Sequence, residues 1–440
     1  MLEKQILIFS IPLMLSNLLQ VLFNMADIAV IGRFAGSASL GAVGSTTTLV
    51  TLFTTFLIGL AGGINVLAAL HIGSGNQKEL RETIHTSALV SLICGMIILI
   101  IGVVFARGIL ILLHTKDELI EGATLYLRIY FMGMPALAAY NFGNAVLSAA
   151  GDTKRPLCFL SAAGVINVVL NLFFVIVCHM DVAGVATASV ISQYVSAILV
   201  IGALFKSGEN YGLRLSEFHF YKDKILNILN LGIPSGLQNG IFQFANLFVQ
   251  IGVNSFSATM VSGNAAAANA DSLVYDVMAA FYTACGSFIG QNLGAGKRER
   301  ILKSYWISLA YSFGTGLCMG LLIACFGHPF LSLFTKDSAV MEAGMRRLMI
   351  MSFSYAISAF MDCTIAASRG LGKSIVPTAI VIMGSCVFRI IWIYTVFAYF
   401  GTITSLYLLY AFSWSITAIA EMIYFRKVYR STVGSAGTAA

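Results

Sequence analysis

Residues 85–106 have the sequence HTSALVSLICGMIILIIGVVFA, in which no Asp, Glu, Lys or Arg occurs. A transmembrane helix needs about 20 apolar residues, so this segment is long enough to cross a bilayer. The whole chain has the same character, since 58% of its 440 residues are hydrophobic and 10% are charged. Soluble domains contain about 25% charged residues, so the composition excludes a soluble globular protein.

Further apolar segments of similar length occur along the whole chain, separated by short polar breaks. They are continuously apolar and do not alternate between apolar and polar residues, which excludes a transmembrane β-barrel. The sequence therefore predicts an all-α polytopic membrane protein with twelve transmembrane helices. The predicted segments are residues 6–31, 40–70, 85–106, 120–148, 157–177, 182–205, 226–254, 261–289, 304–326, 340–367, 376–398 and 403–425.

The basic residues indicate how the chain is oriented in the membrane. The net charge is +7, and most of the 26 Lys and Arg residues fall on one side of the predicted helices. They form no stripe with interleaved aromatic residues, so we predict no nucleic-acid partner. Cytoplasmic loops are enriched in Lys and Arg. We therefore predict a multi-pass protein with both termini in the cytoplasm.

Four short features of the first half recur in the second half, each about 220 residues later, which is the signature of an internal repeat. The repeated pairs are Ile11-Pro12 with Ile233-Pro234, Gly73-Ser74-Gly75 with Gly294-Ala295-Gly296, Thr115-Lys116-Asp117 with Thr335-Lys336-Asp337, and Gly151 and Pro156 with Gly372 and Pro377.

The repeat predicts how the chain is divided into domains. Because each copy contains six spans, both copies enter the membrane in the same direction. We predict two pseudo-symmetric six-helix lobes that alternately open a central cleft. The predicted divisions are an N-lobe of residues 1–205, a cytoplasmic linker of residues 206–224, a C-lobe of residues 225–430 and a C-terminal tail of residues 431–440.

Acidic residues inside the apolar segments are candidates for function: Asp27, Asp271, Asp276 and Asp362. A charge near the bilayer centre costs at least about 2.5–3.5 kcal/mol, so such residues usually face a water-filled cavity or a partner. For each of the four, a structural role as a hydrogen-bonded acid is the alternative. Glu421 lies near the cytoplasmic end of its segment, where its side chain is expected to reach water, and we assign it no role.

Asp27 has polar neighbours at helical spacing. Gln20 and Asn24 precede it at i−7 and i−3, and Asn167 and Asn171 form an i, i+4 pair on the fifth helix. A carboxylate among neutral amide oxygens suits Na⁺, and the same carboxylate can take H⁺ instead. The alternative is that the asparagines join helices through hydrogen bonds, each worth about 0.6–2 kcal/mol. The spacing leaves these two interpretations open.

Arg389 is, by sequence, the only basic residue well inside an apolar segment. It needs a carboxylate, backbone carbonyl groups or water as a partner, and Asp362 is one candidate. The seventh predicted helix contains Asn and Gln residues but no acid. A second carboxylate site equivalent to that of Asp27 is therefore not expected on that helix.

Signatures of enzymes are missing from the sequence. It contains no GxxxxGK[ST] loop, no HExxH motif and no CxxC spacing among its eight cysteines. Such patterns carry nucleotide, metal or disulfide chemistry. We therefore expect no catalytic residues, no cofactor and no metal site other than a Na⁺ site at Asp27, and we interpret the cysteines as core residues.

Four motifs together resemble the multidrug and toxic compound extrusion (MATE) family, most closely its bacterial members. The motifs are NMADIAVIGR at residues 24–33, GDTKRP at 151–156, QNLGAG at 291–296 and RGLGK at 369–373. The resemblance implies an antiporter of the bacterial inner membrane that exports small organic, mainly cationic, compounds in exchange for H⁺ or Na⁺. We expect it to act as a monomer among membrane lipids.

The resemblance also implies roles for particular residues. Asp27, Asn167 and Asn171 match the cation site of the family, with Thr187 as the best hydroxyl match and Ser189 as a near alternative. Further residues match a substrate or proton network: Gln20, Asn24, Asn144, Gln243, Asp276, Asp362 and Arg389. Gln243 stands where some relatives carry a glutamate, so we expect no proton site on that helix.

Two other functions compete with export of organic cations. A lipid or lipid-linked-sugar flippase of related architecture would need a strongly basic central cavity, whereas the predicted interior contains four acids and one arginine. A polytopic membrane enzyme would need clustered acids or histidines in its loops, which are short here and lack them. The exported compounds, the coupling ion and the oligomeric state are left open.

Overall fold

The computed structural model describes residues 2–113 and 115–434, which form long α-helices joined by short connections, without a β-strand. Every predicted apolar segment lies within one of these helices, so the predicted all-α fold with twelve transmembrane helices is confirmed. The helices are α1 (Leu2–Ala35), α2 (Gly36–Ser74), α3 (Gln77–Leu112), α4 in two segments (Asp117–Phe131 and Met134–Ala149), α5 (Lys154–Val177), α6 (Asp181–Lys206), α7 (Lys222–Asn254), α8 (Ala258–Gly294), α9 (Arg298–Leu331), α10 (Ser338–Gly370), α11 (Ile375–Phe400) and α12 (Ile403–Gly434).

Ten of these helices are long and apolar enough to cross a membrane by length and composition. The remaining two are α4, which is interrupted after Phe131, and α7. Several helices contain a π-helical turn, which inserts one extra residue and often marks a functional region. These turns lie at Ile31–Ala35 in α1, Phe173–Val177 in α5, and Ile382–Val387 and Ile393–Phe397 in α11.

The repeated sequence motifs form the same turns in both halves. Gly75 follows α2 and Gly296 follows α8, and both have φ of +67°. Gly151 and Gly372 likewise have φ of +89° and +78°. Residues with a side chain rarely adopt this left-handed conformation, so glycine ends these helices. The sequence repeat is therefore a repeat of helix ends as well as of residue types.

The described chain forms two compact units. The N-terminal unit is Leu15–Gly236, and the C-terminal unit comprises the residues up to Met14 together with those from Leu237 onwards. Helices α1 and α7 each contribute to both units, and the division falls two residues after Pro12 in α1 and after Pro234 in α7. The predicted lobes divide the chain differently. Their boundaries fall between whole helices, whereas the two compact units divide α1 and α7 internally.

The N-terminal unit contains a close helix crossing made by glycines. A Cβ atom added at Gly59 of α2 would lie 2.5 Å from the backbone of Gly236, and one at Gly63 would lie 2.7 Å from the backbone nitrogen of Gly232. Both partners belong to α7. Small residues let helix backbones approach closely in membranes, where packing drives helix association.

The segment between α6 and α7 is held against α3. The backbone N–H of Arg214 donates to Nε2 of the buried His85 at 2.9 Å, and Thr86 Oγ1 donates to the carbonyl oxygen of His219 at 3.2 Å. At the start of α7, burial by itself lowers the pKa of Lys224, but hydrogen bonds to Asp223 and Glu79 outweigh burial and raise it. The predicted linker is therefore a docked element of the N-terminal unit.

In the C-terminal unit, α8 and α10 form the centre. About two thirds of the most apolar stretch of each is buried, 61% in α8 and 67% in α10, against 28% in α9 and in α11. Met278 of α8, Tyr355 of α10 and Tyr407 of α12 are fully buried in one shared core cluster. Buried polar side chains on α8 and α10 are therefore removed from water, where a hydrogen-bond partner within the protein stabilises them.

Candidate functional site

Asp27 lies within a polar cluster of the N-terminal unit. Asn171 Nδ2 donates to Asp27 Oδ1, and Ser189 Oγ donates to Asp27 Oδ2 at 3.2 Å. Asn171 Nδ2 also reaches Asn167 Oδ1 at 3.2 Å, and Asn167 Nδ2 reaches Ser189 Oγ at 3.5 Å. Both oxygens of the carboxylate therefore accept hydrogen bonds, one from α5 and one from α6.

The cluster is largely removed from solvent. Asn171 is fully buried, and Asn167 and Ser189 are each 5% exposed. Asn171 Oδ1 is buried and has no hydrogen-bond partner among the residues that the structure describes. A buried amide oxygen without a donor is unfavourable, and an amide oxygen is a suitable ligand for a small cation.

Local helix geometry explains why these side chains meet. Asn167 and Asn171 are one turn apart and face the same direction from α5, just before its π-helical turn. Gly164, one turn earlier on α5, leaves the space occupied by the Phe23 ring of α1. This close approach brings α5 beside Asp27, which is seven residues after Gln20 on the same face.

The hydroxyl beside Asp27 differs from the first choice of the sequence analysis. Thr187 Oγ1 donates to the carbonyl oxygen of Ala183 in its own helix at 2.7 Å, and Ser189 contacts the carboxylate instead. Thr187 and Ser189 are two residues apart, which is a rotation of about 200° around the helix axis. Their side chains therefore cannot both face Asp27. Ser189, the alternative named from the sequence, is the neighbour that the structure brings to the site.

A cavity of about 330 Å³ opens beside the cluster within the N-terminal unit. Asp27, Asn167 and Ser189 line it, and so do Gln20 and Asn24, two residues predicted for a substrate or proton network. The cavity also has aromatic and hydroxyl-bearing walls that the sequence analysis missed: Tyr126, Tyr130, Thr46, Thr47, Thr51 and Thr54. The i, i+4 spacing of Thr47 and Thr51 was the signal available in the sequence.

Asn144, also predicted for this network, lies elsewhere in the N-terminal unit. Its Oδ1 accepts a hydrogen bond from Ser148 Oγ at 3.3 Å within α4. The other predicted network residues, Gln243, Asp276, Asp362 and Arg389, belong to the C-terminal unit. The Asp27 cluster is thus assembled from part of the predicted set.

Arg389 is held by polar and aromatic groups of the C-terminal unit. Its Nη1 donates to Asn246 Oδ1 at 2.9 Å and its Nε to Ser413 Oγ at 3.4 Å. The guanidinium carbon lies 4.7 Å from the ring centroid of Tyr410. Asp362, the candidate partner from the sequence, forms no ion pair with Arg389 among the described residues.

Arg347 of α10 is a second buried arginine, and the sequence analysis missed it. It is 4% exposed, forms an ion pair with Asp271 of α8, and donates to Asn264 Oδ1 at 2.9 Å. Position within an apolar segment therefore did not identify every buried arginine. Arg347 lies near a helix end in the sequence, and only the packing of α8 against α10 shows that its charge is enclosed.

Glu421 also departs from the expectation. It is fully buried on α12, and both carboxylate oxygens lack a hydrogen-bond partner among the described residues. Arg369 of α10 interacts with it electrostatically and donates to Gln238 Oε1 at 2.8 Å. The position of Glu421 near the end of an apolar segment predicted a solvated side chain, because sequence does not show which face of α12 is enclosed.

Known proteins resemble this chain in sequence and in fold. A model of the MatE family matches residues 12–173 and again residues 234–395. The chain is 31% identical over 354 residues to the probable multidrug resistance protein YpnP of Bacillus subtilis, covering 80% of this chain and 79% of the relative. It is 24% identical over 347 residues to an FAD transporter of Shewanella oneidensis, covering 77% of this chain and 76% of that relative.

A solved structure shows the same fold. The MOP superfamily transporter from Pyrococcus furiosus superposes on this chain with a TM-score of 0.92 at 22% identity, covering 98% of this chain and 96% of that one. The two matches of the family model are shifted by 222 residues at both ends, from 12 to 234 and from 173 to 395, which confirms the internal repeat. Because the family model covers more than half of the sequence, this chain belongs to the MATE family of membrane transporters, as its motifs predicted.

Proposed function

We propose that this protein is a multidrug efflux antiporter that exports organic, mainly cationic, compounds in exchange for H⁺ or Na⁺. One observation carries the proposal: Asp27 lies in a 330 Å³ cavity and both of its carboxylate oxygens accept hydrogen bonds from neutral side chains. No basic residue forms an ion pair with Asp27 in the described part of the chain. Its negative charge is therefore available to a cation.

The ligands around Asp27 support binding of a small cation. Asn171 Oδ1 has no donor in the described residues, and the Ser189 hydroxyl can turn its lone pairs toward a cation. Hard monovalent cations prefer such oxygen ligands. The same carboxylate can accept H⁺, so the coupling ion is either H⁺ or Na⁺.

The proposed exchange rests on competition for one charge. When Asp27 holds H⁺ or Na⁺, the cavity has no net charge to attract an organic cation, so affinity for the exported compound falls. When the ion leaves, the negative charge and the rings of Tyr126 and Tyr130 favour a cationic aromatic compound. Reciprocal coupling of the two ligands then gives antiport by alternating access.

Location and assembly are part of the proposal. We propose that the protein lies in the bacterial inner membrane. Both termini are proposed to face the cytoplasm, because most Lys and Arg residues fall on the same side of the predicted helices as the termini. We propose a monomer without a cofactor. One relative is named a probable multidrug resistance protein, and this likeness supports the proposal that this chain transports small drug-like compounds.

The alternative, a lipid or lipid-linked-sugar flippase, depends on interior positive charge. Arg347 adds a second arginine to an interior predicted to contain four acids and one arginine, which weakens the charge argument against a flippase. However, the ion pair with Asp271 neutralises Arg347. Asp27 and its cavity contain no such compensation, so export of cations is the better supported function.

The test is dye efflux from liposomes that contain purified protein, with sodium and pH gradients set independently. Asp27→Asn keeps the size and hydrogen bonding of the side chain but removes the charge. We expect this variant to lose gradient-driven efflux of ethidium at least tenfold, while its melting temperature changes little. Ethidium efflux at the wild-type rate by Asp27→Asn would refute the assignment. Efflux driven by a sodium gradient alone would identify Na⁺ as the coupling ion, and efflux driven by a pH gradient alone would identify H⁺.

A further inference from the structure

A second cavity lies at the start of α3 in the N-terminal unit, on the side predicted to face the cytoplasm. Its volume is about 570 Å³, against about 330 Å³ for the cavity beside Asp27, and the two share no described lining residue. One wall is the first two turns of α3, and the other lies within residues 216–221, which precede α7. The proposed exchange of ions at Asp27 gives this cavity no role.

The walls of this cavity carry balanced charge. Lys78 Nζ lies 3.9 Å from Glu82 Oε1, and Arg81 Nη1 lies 3.3 Å from Glu217 Oε1. Each basic side chain therefore has an acidic side chain beside it. A ligand with one negative and one positive group can meet opposite charges at both ends. A ligand with only a negative charge would lie against two carboxylates and be repelled by them.

These ion pairs are accessible to a ligand. The side chain of Lys78 is 83% exposed, and those of Arg81 and Glu217 are 31% and 27% exposed. Exposed ion pairs contribute little to stability, so a charged ligand can replace one partner of each pair. Ser216 and Tyr221 add hydroxyl groups to the walls, and hydroxyl groups can donate hydrogen bonds to a phosphate.

Helix α3 has a lipid-facing side, and Lys78 and Glu82 lie on it. Met96 and Ile100 of α3 are 44% and 54% exposed, and α3 contributes no described residue to the cavity beside Asp27. Lys78 precedes Met96 by 18 residues, and Glu82 precedes Ile100 by the same number, which is about five whole turns of the helix. The two charged residues therefore share a helix face with the exposed apolar residues.

The position of Glu82 along α3 matches the headgroup layer of a bilayer. The uncharged stretch of α3 begins at His85, so Glu82 lies about 5 Å outside it along the helix axis. The headgroup layer extends about 5–7 Å beyond the hydrocarbon on each side of the bilayer. The charges of the cavity therefore lie at the depth of the phosphates and amines of lipids.

Apolar side chains beside the cavity are also exposed. Leu215 is 82% exposed and Phe220 is 55% exposed, and both adjoin the cavity-lining residues of their segment. Exposed leucine and phenylalanine side chains beside charged ones are typical of segments that lie in the membrane interface. A lipid whose headgroup occupies the cavity would place its acyl chains near them, which a small dissolved compound cannot do.

We propose that this cavity binds the headgroup of a phosphatidylethanolamine molecule. The phosphate accepts hydrogen bonds from Lys78 and Arg81, and the ammonium group donates hydrogen bonds to Glu82 and Glu217. The ammonium group thereby contacts both walls, so the lipid holds the segment before α7 against the start of α3. The site is separate from the cation site at Asp27.

Two lipids with the same acyl chains test this inference. Phosphatidylethanolamine and phosphatidylglycerol share the phosphate, and only the first has an amine. Native mass spectrometry of the purified protein, titrated in detergent with the palmitoyl-oleoyl form of each lipid, gives the Kd of the first bound lipid. We expect the wild type to bind phosphatidylethanolamine about threefold more tightly or better, as charge-assisted hydrogen bonds from the ammonium group predict.

Two variants separate the two contacts. Glu82→Gln removes an acceptor for the ammonium group and a charge that repels phosphatidylglycerol, so the preference for phosphatidylethanolamine should fall about threefold. Lys78→Gln removes a phosphate contact and should weaken binding of both lipids about threefold. Because Lys78 is exposed, this variant keeps the inference testable if Glu82→Gln does not fold. The control is Lys206→Gln, which removes an exposed positive charge at the end of α6, outside the cavity, and should change neither Kd.

Several results would overturn the proposal: equal affinity of the wild type for both lipids, an unchanged preference in Glu82→Gln, unchanged affinities in Lys78→Gln, or an equal loss in Lys206→Gln. Glycerophosphoethanolamine, the soluble headgroup without acyl chains, should not displace the lipid at the same concentration. Displacement would show a site for a dissolved compound and would also overturn the proposal. The titration needs no ion gradient, so failure of antiport at Asp27 would leave its result unchanged.

Discussion

At the scale of single residues, the candidate cation site depends on which side chains share a helix face. Helical spacing puts Asn167 and Asn171 on one face of α5, because i, i+4 positions lie on one face whatever the tertiary fold. That Asp27 of α1 shares a site with them was implied by the family resemblance. The choice between Thr187 and Ser189 does not follow, because both are hydroxyl residues of one apolar helix. It depends on the rotation of α6 about its axis, which long-range packing determines.

This difference gives a prediction with an internal control. Ser189→Ala removes one hydrogen bond to the Asp27 carboxylate, and bonds to charged groups contribute about 1.5–3 kcal/mol. We expect the concentration of coupling ion needed for half-maximal dye efflux to change about tenfold or more. Thr187→Ala removes a hydroxyl that bonds only to the backbone of its own helix and should change it less than threefold. Equal effects of the two variants would show that Ser189 has no special role.

At the scale of helices, close backbone contacts between α2 and α7 hold the N-terminal unit together. Helix α7 changes from the N-terminal unit to the C-terminal unit at Gly236, and the contacts of Gly232 and Gly236 with α2 lie on the N-terminal side of that change. Membrane helices cannot rely on the hydrophobic effect to associate, so the fit of such glycines contributes directly to stability.

A larger side chain at this crossing should separate the helices. Gly63→Leu places its Cβ 2.7 Å from the backbone nitrogen of Gly232, and overpacking of this kind costs about 1–3 kcal/mol or more. We expect a melting temperature several degrees below that of the wild type in detergent. Gly62→Leu, one residue earlier, has no atom within 4 Å of its Cβ and serves as the control. A similar loss of stability in both variants would mean that the added side-chain volume, and not the crossing, sets the effect.

At the scale of the whole molecule, the duplication produced two units with different chemistry. The helices and their ends repeat, whereas the acid inside the first helix does not, since the first half has Asp27 where the second has Val249. Repeated backbone geometry arises from the same glycines and prolines in both halves. The side chains at Asp27 and Val249 have diverged independently, because neither of the two affects how its helix begins or ends.

The orientation of the whole chain is a prediction of its charge distribution. A green fluorescent protein fused after residue 434 should fluoresce in bacterial cells, because the protein folds in the cytoplasm and not in the periplasm. The same fusion truncated after residue 334, at the connection between α9 and α10, should stay dark. Fluorescence of the truncated fusion with a dark full-length fusion would reverse the topology and contradict the positive-inside assignment.

The sequence by itself determined the twelve helices, the internal repeat and the polar face around Asp27, because hydropathy, turn glycines and helical spacing act over a few residues. Tertiary structure alone decided that Ser189 contacts Asp27, that Arg347 pairs with Asp271, and that Glu421 is enclosed. Each of these depends on how a helix is rotated and which helix lies against it. A continuously apolar helix shows no polar face to predict that rotation, so the packing of the whole unit determines it.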